Sequence, residues 1–219
     1  MTESTLTDKE VEELLRTKSG GDIVQQIWGN MKLFSVEAMK NKKNPIPAKP
    51  VLYRWWFPED SKVCDAIRKH SEGILEQAEK RTIDGKLYYA LYFGKSNKGS
   101  RRYNQHTSGT VGNSTIRHTV YGLLFPGQKY DPHKEPKIND IVRQCYCEWV
   151  AIDDADCAEC AKEPEESKGA NWIGCLESMC IALGKYPLNV DGNPAISKDW
   201  RKHLIKVRKD SKKERKSQD

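Results

Sequence analysis

The stretch "LYFGKSNKGSRRYNQH", Leu91–His106, decides how the chain is read. A tyrosine-bearing apolar run, "LYYALYFG" (Leu87–Gly94), has strand character and ends on a glycine. A basic, acid-free segment follows and leads into Arg102 and His106. These two are four residues apart, so on a helix over Ser100–His106 they share one face. By period-2 alternation Tyr92 shares a strand face with Gly94. A phenol beside an arginine and a histidine is a group set for an anion: the guanidinium grips it and the imidazole handles a proton.

Outward from this stretch, "VLYRWWF" (Val51–Phe57) is β-branched and aromatic between prolines, and predicts a strand carrying Tyr53. "IDGK" (Ile83–Lys86) predicts a tight turn on Asp-Gly. Ser61–Arg81 predicts a helix between the two strands, and Ser114–Leu124 another further on. "IVRQCYCEWVAID" (Ile141–Asp153) predicts a third strand. Leu176–Leu183 predicts a short apolar helix stopped by Gly184, and Tyr186–Val190 an extended exit. Upstream, Thr7–Arg16 predicts a helix capped by Thr7 and Glu10, broken at Ser19–Asp22 and resumed over Ile23–Met39. Lys40–Pro50 is a Pro-rich basic linker. The fold class is therefore α+β: a small central sheet of about three strands flanked by helices. The expected domains are an N-terminal helical extension and linker (1–50), a core domain (51–196) and a basic C-terminal helix or tail (197–219), its last fourteen residues disordered.

The net charge of +6 is unevenly placed. From Lys198 to Asp219 there are ten Lys or Arg and four acids, so that segment carries the whole excess. Gly85–Tyr130 holds seven bases and no acid, whereas Glu148–Glu166 holds eight acids and one base. Such segregation points to a polyanionic partner for the acid-free stretch. No apolar run reaches membrane-spanning length, and the acidic start "MTESTLTDKEVEELL" lacks a signal-peptide core. Seven cysteines, an odd number, argue against a secreted disulfide framework, so a reducing, cytoplasmic setting is expected.

Taken in order, Tyr53, Tyr92, the Arg102/His106 pair, Glu177 and Asn189 resemble the GIY-YIG nuclease superfamily, whose core has two tyrosine-bearing strands, a helix with Arg-x-x-x-His, a later helix with one Glu and a downstream Asn. "VLY" (Val51–Tyr53) stands for the first motif, "YFG" (Tyr92–Gly94) for the second, "RYNQH" (Arg102–His106) for the helix pair, and "ESMCIALGKYPLN" places Glu177 and Asn189 twelve apart. "STIRHTVYGLL" and "RWWF" look like a prokaryotic branch of the superfamily. The resemblance covers roughly Val51–Asn189 and departs where Val51 replaces the usual glycine and Phe93 the usual isoleucine. Tyr88 and Tyr89 compete for the first tyrosine role but sit on Tyr92's own strand, and Glu159, Glu165 and Glu166 precede the helix of Glu177.

The resemblance implies a metal-dependent DNA endonuclease. Glu177 is the Mg²⁺ or Mn²⁺ ligand, and Tyr53 the base that activates water, its phenol lowered by neighbouring cations. Tyr92 and His106 shape the proton network, Arg102 neutralises the scissile phosphate, and Asn189 orients the site. Lys95, Arg101 and His118 are candidate DNA contacts. Cutting both strands suggests a homodimer. Two other readings stand beside this: a nucleic-acid-binding module of the same fold without catalysis, and an interaction domain with zinc on Cys145, Cys147, Cys157 and Cys160.

Overall fold

The computed structural model describes residues 18–39, 44–71, 73–152 and 172–216. In chain order the elements are α1 (Lys18–Gly29), β1 (Lys32–Ser35), β2 (Val51–Pro58), α2 (Lys62–His70), α3 (Ile74–Gln77), β3 (Lys80–Ile83), β4 (Lys86–Ser96), α4 (Gly99–Thr107), α5 (Thr115–Leu124), α6 (Glu135–Arg143), β5 (Tyr146–Ala151), α7 (Trp172–Gly184) and α8 (Lys198–Lys216). Helix Thr7–Arg16 and residues Cys157, Glu159, Cys160, Glu165 and Glu166 lie outside the described residues.

The class is α+β, but the sheet has five strands rather than three, all antiparallel, in the order β1-β5-β2-β4-β3. The three expected strands are its centre. The two additional ones are four-residue edges, in stretches whose apolar spacing reads as helix: β1 lies in Ile23–Met39 and β3 at the end of Ser61–Arg81. Short edges expose few unpaired backbone groups. Residues 83–86 turn as expected, with Asp84 and Gly85 at φ 49° and 77°, the left-handed pair that a two-residue hairpin requires. Two boundaries move. α1 runs straight through Ser19–Asp22, and β5 starts only at Tyr146 because Ile141 and Val142 belong to α6.

β2 is buried along its whole length because helices cover both faces of the sheet. On one face Val51, Tyr53, Trp55 and Phe57 pack with α2, α4, α5, α6 and α8 through Ile67, Tyr103, Val120, Ile138 and Leu204. On the other, Leu52 and Trp56 pack with α1 and α7 through Ile27, Leu176 and Met179. Arg54 is buried on this second face. It pairs with Glu148 and, at 2.5 Å, with Glu79, and lies 4.6 Å over the Trp56 ring. That supplies the partners a buried guanidinium needs.

The C-terminal segment corrects the expectation of disorder. α8 continues to Lys216, and Trp200, Leu204, Val207 and Ser211, spaced i, i+4, i+7, i+11, are buried. It lies at backbone contact with α5: a Cβ on Gly122 would stand 2.8 Å from the Val207 carbonyl oxygen. No helix among the described residues is long and apolar enough to cross a membrane.

Candidate active site

Tyr53 pairs with Gly94 across β2 and β4, and its phenol end lies against that glycine. A Cβ at position 94 would meet Tyr53 Oη at 2.7 Å and Cζ at 2.8 Å, so glycine is the residue that leaves room for the phenol. Tyr92 reaches the same face by an irregularity. Trp55 pairs with Tyr92 but Trp56 pairs with Ala90, which leaves Leu91 as the extra residue of a β-bulge. Tyr89 and Leu91 face the first core, and strict alternation would send Tyr92 to the second. The bulge turns it back, and the Tyr53 and Tyr92 ring centroids come within 6.4 Å.

α4 delivers the histidine. His106 Nε2 lies 3.0 Å from Tyr53 Oη, and its Nδ1 lies 2.6 Å from Ser114 Oγ. Ser114 caps α5, its Oγ accepting from the Arg117 N–H. The fully buried Arg117 then donates to the His106 carbonyl, to Glu135 and to Asn139 at 3.1, 2.6 and 2.7 Å. The imidazole is thus held from both nitrogens and from its own backbone. Val51, standing where the family usually has glycine, packs its Cγ2 against Gly99 at the start of α4, where a Cβ would come within 2.7 Å. The strand–helix approach is obtained with the glycine on the helix side.

α7 and its exit close the other side. Glu177 Oε1 accepts the Lys95 backbone N–H at 3.0 Å, which fixes its carboxylate beside β4. Asn189 brackets the backbone of Phe93, accepting its N–H at 2.8 Å and donating to its carbonyl at 2.9 Å. Leu188 N–H donates to the Leu91 carbonyl at 2.8 Å. The extended exit therefore lines the part of β4 beyond its pairing with β3 and grips the residues on either side of Tyr92. Asn189 acts on the site through that backbone.

Burial, then Tyr92, pushes the Tyr53 phenol well above its ordinary range; Arg102 works in the lowering direction and Glu177 in the raising one. Tyr92 is pushed up to about 12, chiefly by burial and then by Glu177, with Arg208 and Arg102 opposing. His106 is held well below the usual imidazole range by burial, then by Arg102 and Arg117. At neutral pH all three are uncharged. The expectation that neighbouring cations lower Tyr53 is corrected: Arg102 acts in that direction, but desolvation outweighs it.

The structure thus brings Tyr53, Tyr92, Arg102, His106 and Glu177 to one place, with Asn189 behind it. Lys95 contributes its backbone to Glu177, and Arg101 is exposed on the outer side of α4. His118 is buried on α5 rather than presented to a phosphate. Cys145 and Cys147 are buried thiols that burial pushes well up, and they pack in the first core. Sequence reasoning missed Ser114 and Arg117, which buttress His106, and Arg208, which comes from the segment expected to be disordered. The signal for Ser114 was present, since a serine opening a helical run is a cap.

Glu177 suits a divalent cation. It is a hard oxygen donor held in place, and Mg²⁺ binds through one or two carboxylates while keeping other positions for water and phosphate. Among the described residues no group of three or more His, Cys, Asp or Glu side chains could hold a metal, so a site here rests on this single carboxylate.

Comparison with known proteins finds no match among curated proteins and none among solved structures. The family described as "GIY-YIG catalytic domain" matches residues 51–210, from the start of β2 to well inside α8. That stretch takes in most of the chain and every site residue above, and with it the chain belongs to the GIY-YIG family.

Proposed function

We propose that the chain is a metal-dependent DNA endonuclease of the GIY-YIG type that hydrolyses phosphodiester bonds. The observation that carries this reading is the Tyr53 Oη–His106 Nε2 hydrogen bond, 3.0 Å long, set between an arginine and an anchored carboxylate. Arg102 takes the non-bridging oxygens of the scissile phosphate with its planar fork. Water attacks the phosphorus in line and the bond to the leaving oxygen breaks, the departing alkoxide taking a proton from bulk water. Tyr53 accepts the water proton as its own passes to Nε2 of the neutral His106, with Nδ1–H donating to Ser114. Both partners start uncharged, so no ion has to be buried beforehand, and an anion bound at Arg102 offsets the cation that disfavours imidazolium. Tyr92 and Asn189 hold this arrangement in register. Mg²⁺ or Mn²⁺ held by Glu177 would supply positive charge at the phosphoryl oxygens and favour the ionised phenol.

The acid-free stretch Gly85–Tyr130 that carries Arg102 supports a nucleic-acid substrate. Cleavage of both strands calls for two sites, which a homodimer would provide. The test is nicking of supercoiled plasmid with Mg²⁺ or Mn²⁺, with and without chelator. Glu177→Ala should abolish cleavage and leave duplex binding within a few fold, because it removes a negative charge from a phosphate site. Cleavage at the native rate by a folded Glu177→Ala protein would take the metal away from this residue.

A further inference from the structure

We propose that Arg208 is a substrate-phosphate-binding residue of this site, taking a phosphate of the bound strand on the Tyr92 side of Arg102. The inference rests on the nuclease reading above and extends it to a residue of α8. Two hydrogen bonds aim the guanidinium. Nε donates to Thr119 Oγ1 at 2.8 Å, and a terminal nitrogen donates to the Leu188 carbonyl at 2.6 Å. Leu188 is itself bonded to the Leu91 carbonyl, next to Tyr92. The helix that carries Arg208 cannot drift, because Gly122 allows α5 to touch the backbone of Val207.

Among the described residues the charge has no ion-pair partner that would explain it structurally. It is half-buried, and burial lowers its pKa, opposed by Tyr92 and then by Asp191. Asp191 is exposed. A buried structural arginine in this protein looks different: Arg54 and Arg117 are each ion-paired within hydrogen-bond distance. Arg208 instead donates to a hydroxyl and a carbonyl, neutral groups that position a cation without neutralising it. Its charge acts on Tyr92, whereas Arg102 acts on Tyr92, Tyr53 and His106. Two arginines whose charge bears on one tyrosine, one of them also bearing on Tyr53 and His106, fit two phosphates: the scissile one at Arg102 and a neighbour at Arg208.

The experiment uses the full chain carrying Arg208→Gln, which keeps an amide donor for Thr119 or Leu188 but removes the charge. A labelled DNA duplex is titrated by fluorescence anisotropy at several salt concentrations with metal chelated, and cleavage kinetics and thermal melting are followed in parallel. The expected result is a dependence of log affinity on log salt shallower by about one. KM should rise roughly tenfold, the loss of one charge-assisted contact, with kcat changed less. An unchanged salt slope overturns the proposal, since a merely structural role would move melting and not the slope. Should Arg208→Gln not fold, Arg208→Lys decides: weaker binding at the native slope supports a lost phosphate fork, and native affinity with native KM overturns it. If the wild-type protein binds duplex but cleaves with neither metal, the nuclease reading fails and the slope alone judges Arg208. If it binds no duplex, both fail.

Discussion

Gly94→Ala tests the geometry of the site through its tightest contact. The new Cβ would stand 2.7 Å from Tyr53 Oη and 2.8 Å from Cζ. Non-bonded heavy atoms prefer roughly 3.5 Å or more, so the ring has to retreat by about 0.8 Å. Overpacking of this kind costs about 1–3 kcal/mol. The displacement also opens the 3.0 Å bond to His106. A misplacement of about 1 Å in a reacting group costs on the order of 10²-fold in rate. Plasmid nicking should therefore fall by roughly two orders of magnitude, and melting should show a loss in the 1–3 kcal/mol range. A double-mutant cycle separates the clash from any general effect of the alanine. In a Tyr53→Ala background there is no ring to strike, so Gly94→Ala should lose most of its destabilisation. If Gly94→Ala is equally destabilising with and without the Tyr53 ring, or cleaves at the native rate, the close approach of that phenol to Gly94 is wrong and the relay built on it falls.

Arg102→Ala should abolish turnover and Arg102→Lys should restore it poorly, because a point charge cannot replace a planar fork; native cleavage by Arg102→Lys would pass the phosphate role to Arg101. His106 has a depressed folded-state pKa, so the unfolded chain binds the extra proton first and stability is lost as pH falls below 6.5; His106→Gln should flatten the fall of melting temperature on the acid side, and an unchanged profile would contradict the buried neutral imidazole. On α8, Lys202, Lys206 and Lys209 share an exposed face; reversing all three to Glu should weaken duplex binding and make its salt dependence shallower, with melting little changed, while an unchanged slope would take that face out of the nucleic-acid surface.

Periodicity and turn chemistry made the centre of the sheet legible. Val51–Phe57 and Leu87–Gly94 are dense in β-branched and aromatic residues, and Asp84-Gly85 can hardly be anything but a tight turn. The edges were not legible, because Lys32–Ser35 and Lys80–Ile83 are too short to carry a period of their own and sit beside genuine helices. α8 was misread for a different reason. Its high charge suggests a solvated tail, yet Trp200, Leu204 and Val207 mark a helical stripe, and three apolar positions at that spacing are enough when α5 offers Gly122 to pack against. Composition describes the exposed face of a helix more than the buried one, and here it hid Arg208, which bonds Thr119 and the Leu188 carbonyl.

The site shows the same division. Residue types and their order pointed to Tyr53, Tyr92, Arg102, His106, Glu177 and Asn189, but not to how Tyr92 comes to face Tyr53. Alternation from Gly94 places Tyr92 on the correct face for the last turn of the strand, while alternation from Leu87 and Tyr89 places it on the opposite one. Both counts are correct locally, and the bulge at Leu91 reconciles them. It needs no glycine or proline to announce it. What stabilises it lies far along the chain: Leu188 and Asn189 hold the backbone at Leu91 and Phe93, on either side of the irregularity. Asn189 thus fixes a strand irregularity beside Tyr92, and Arg208 hangs from the same exit through the Leu188 carbonyl.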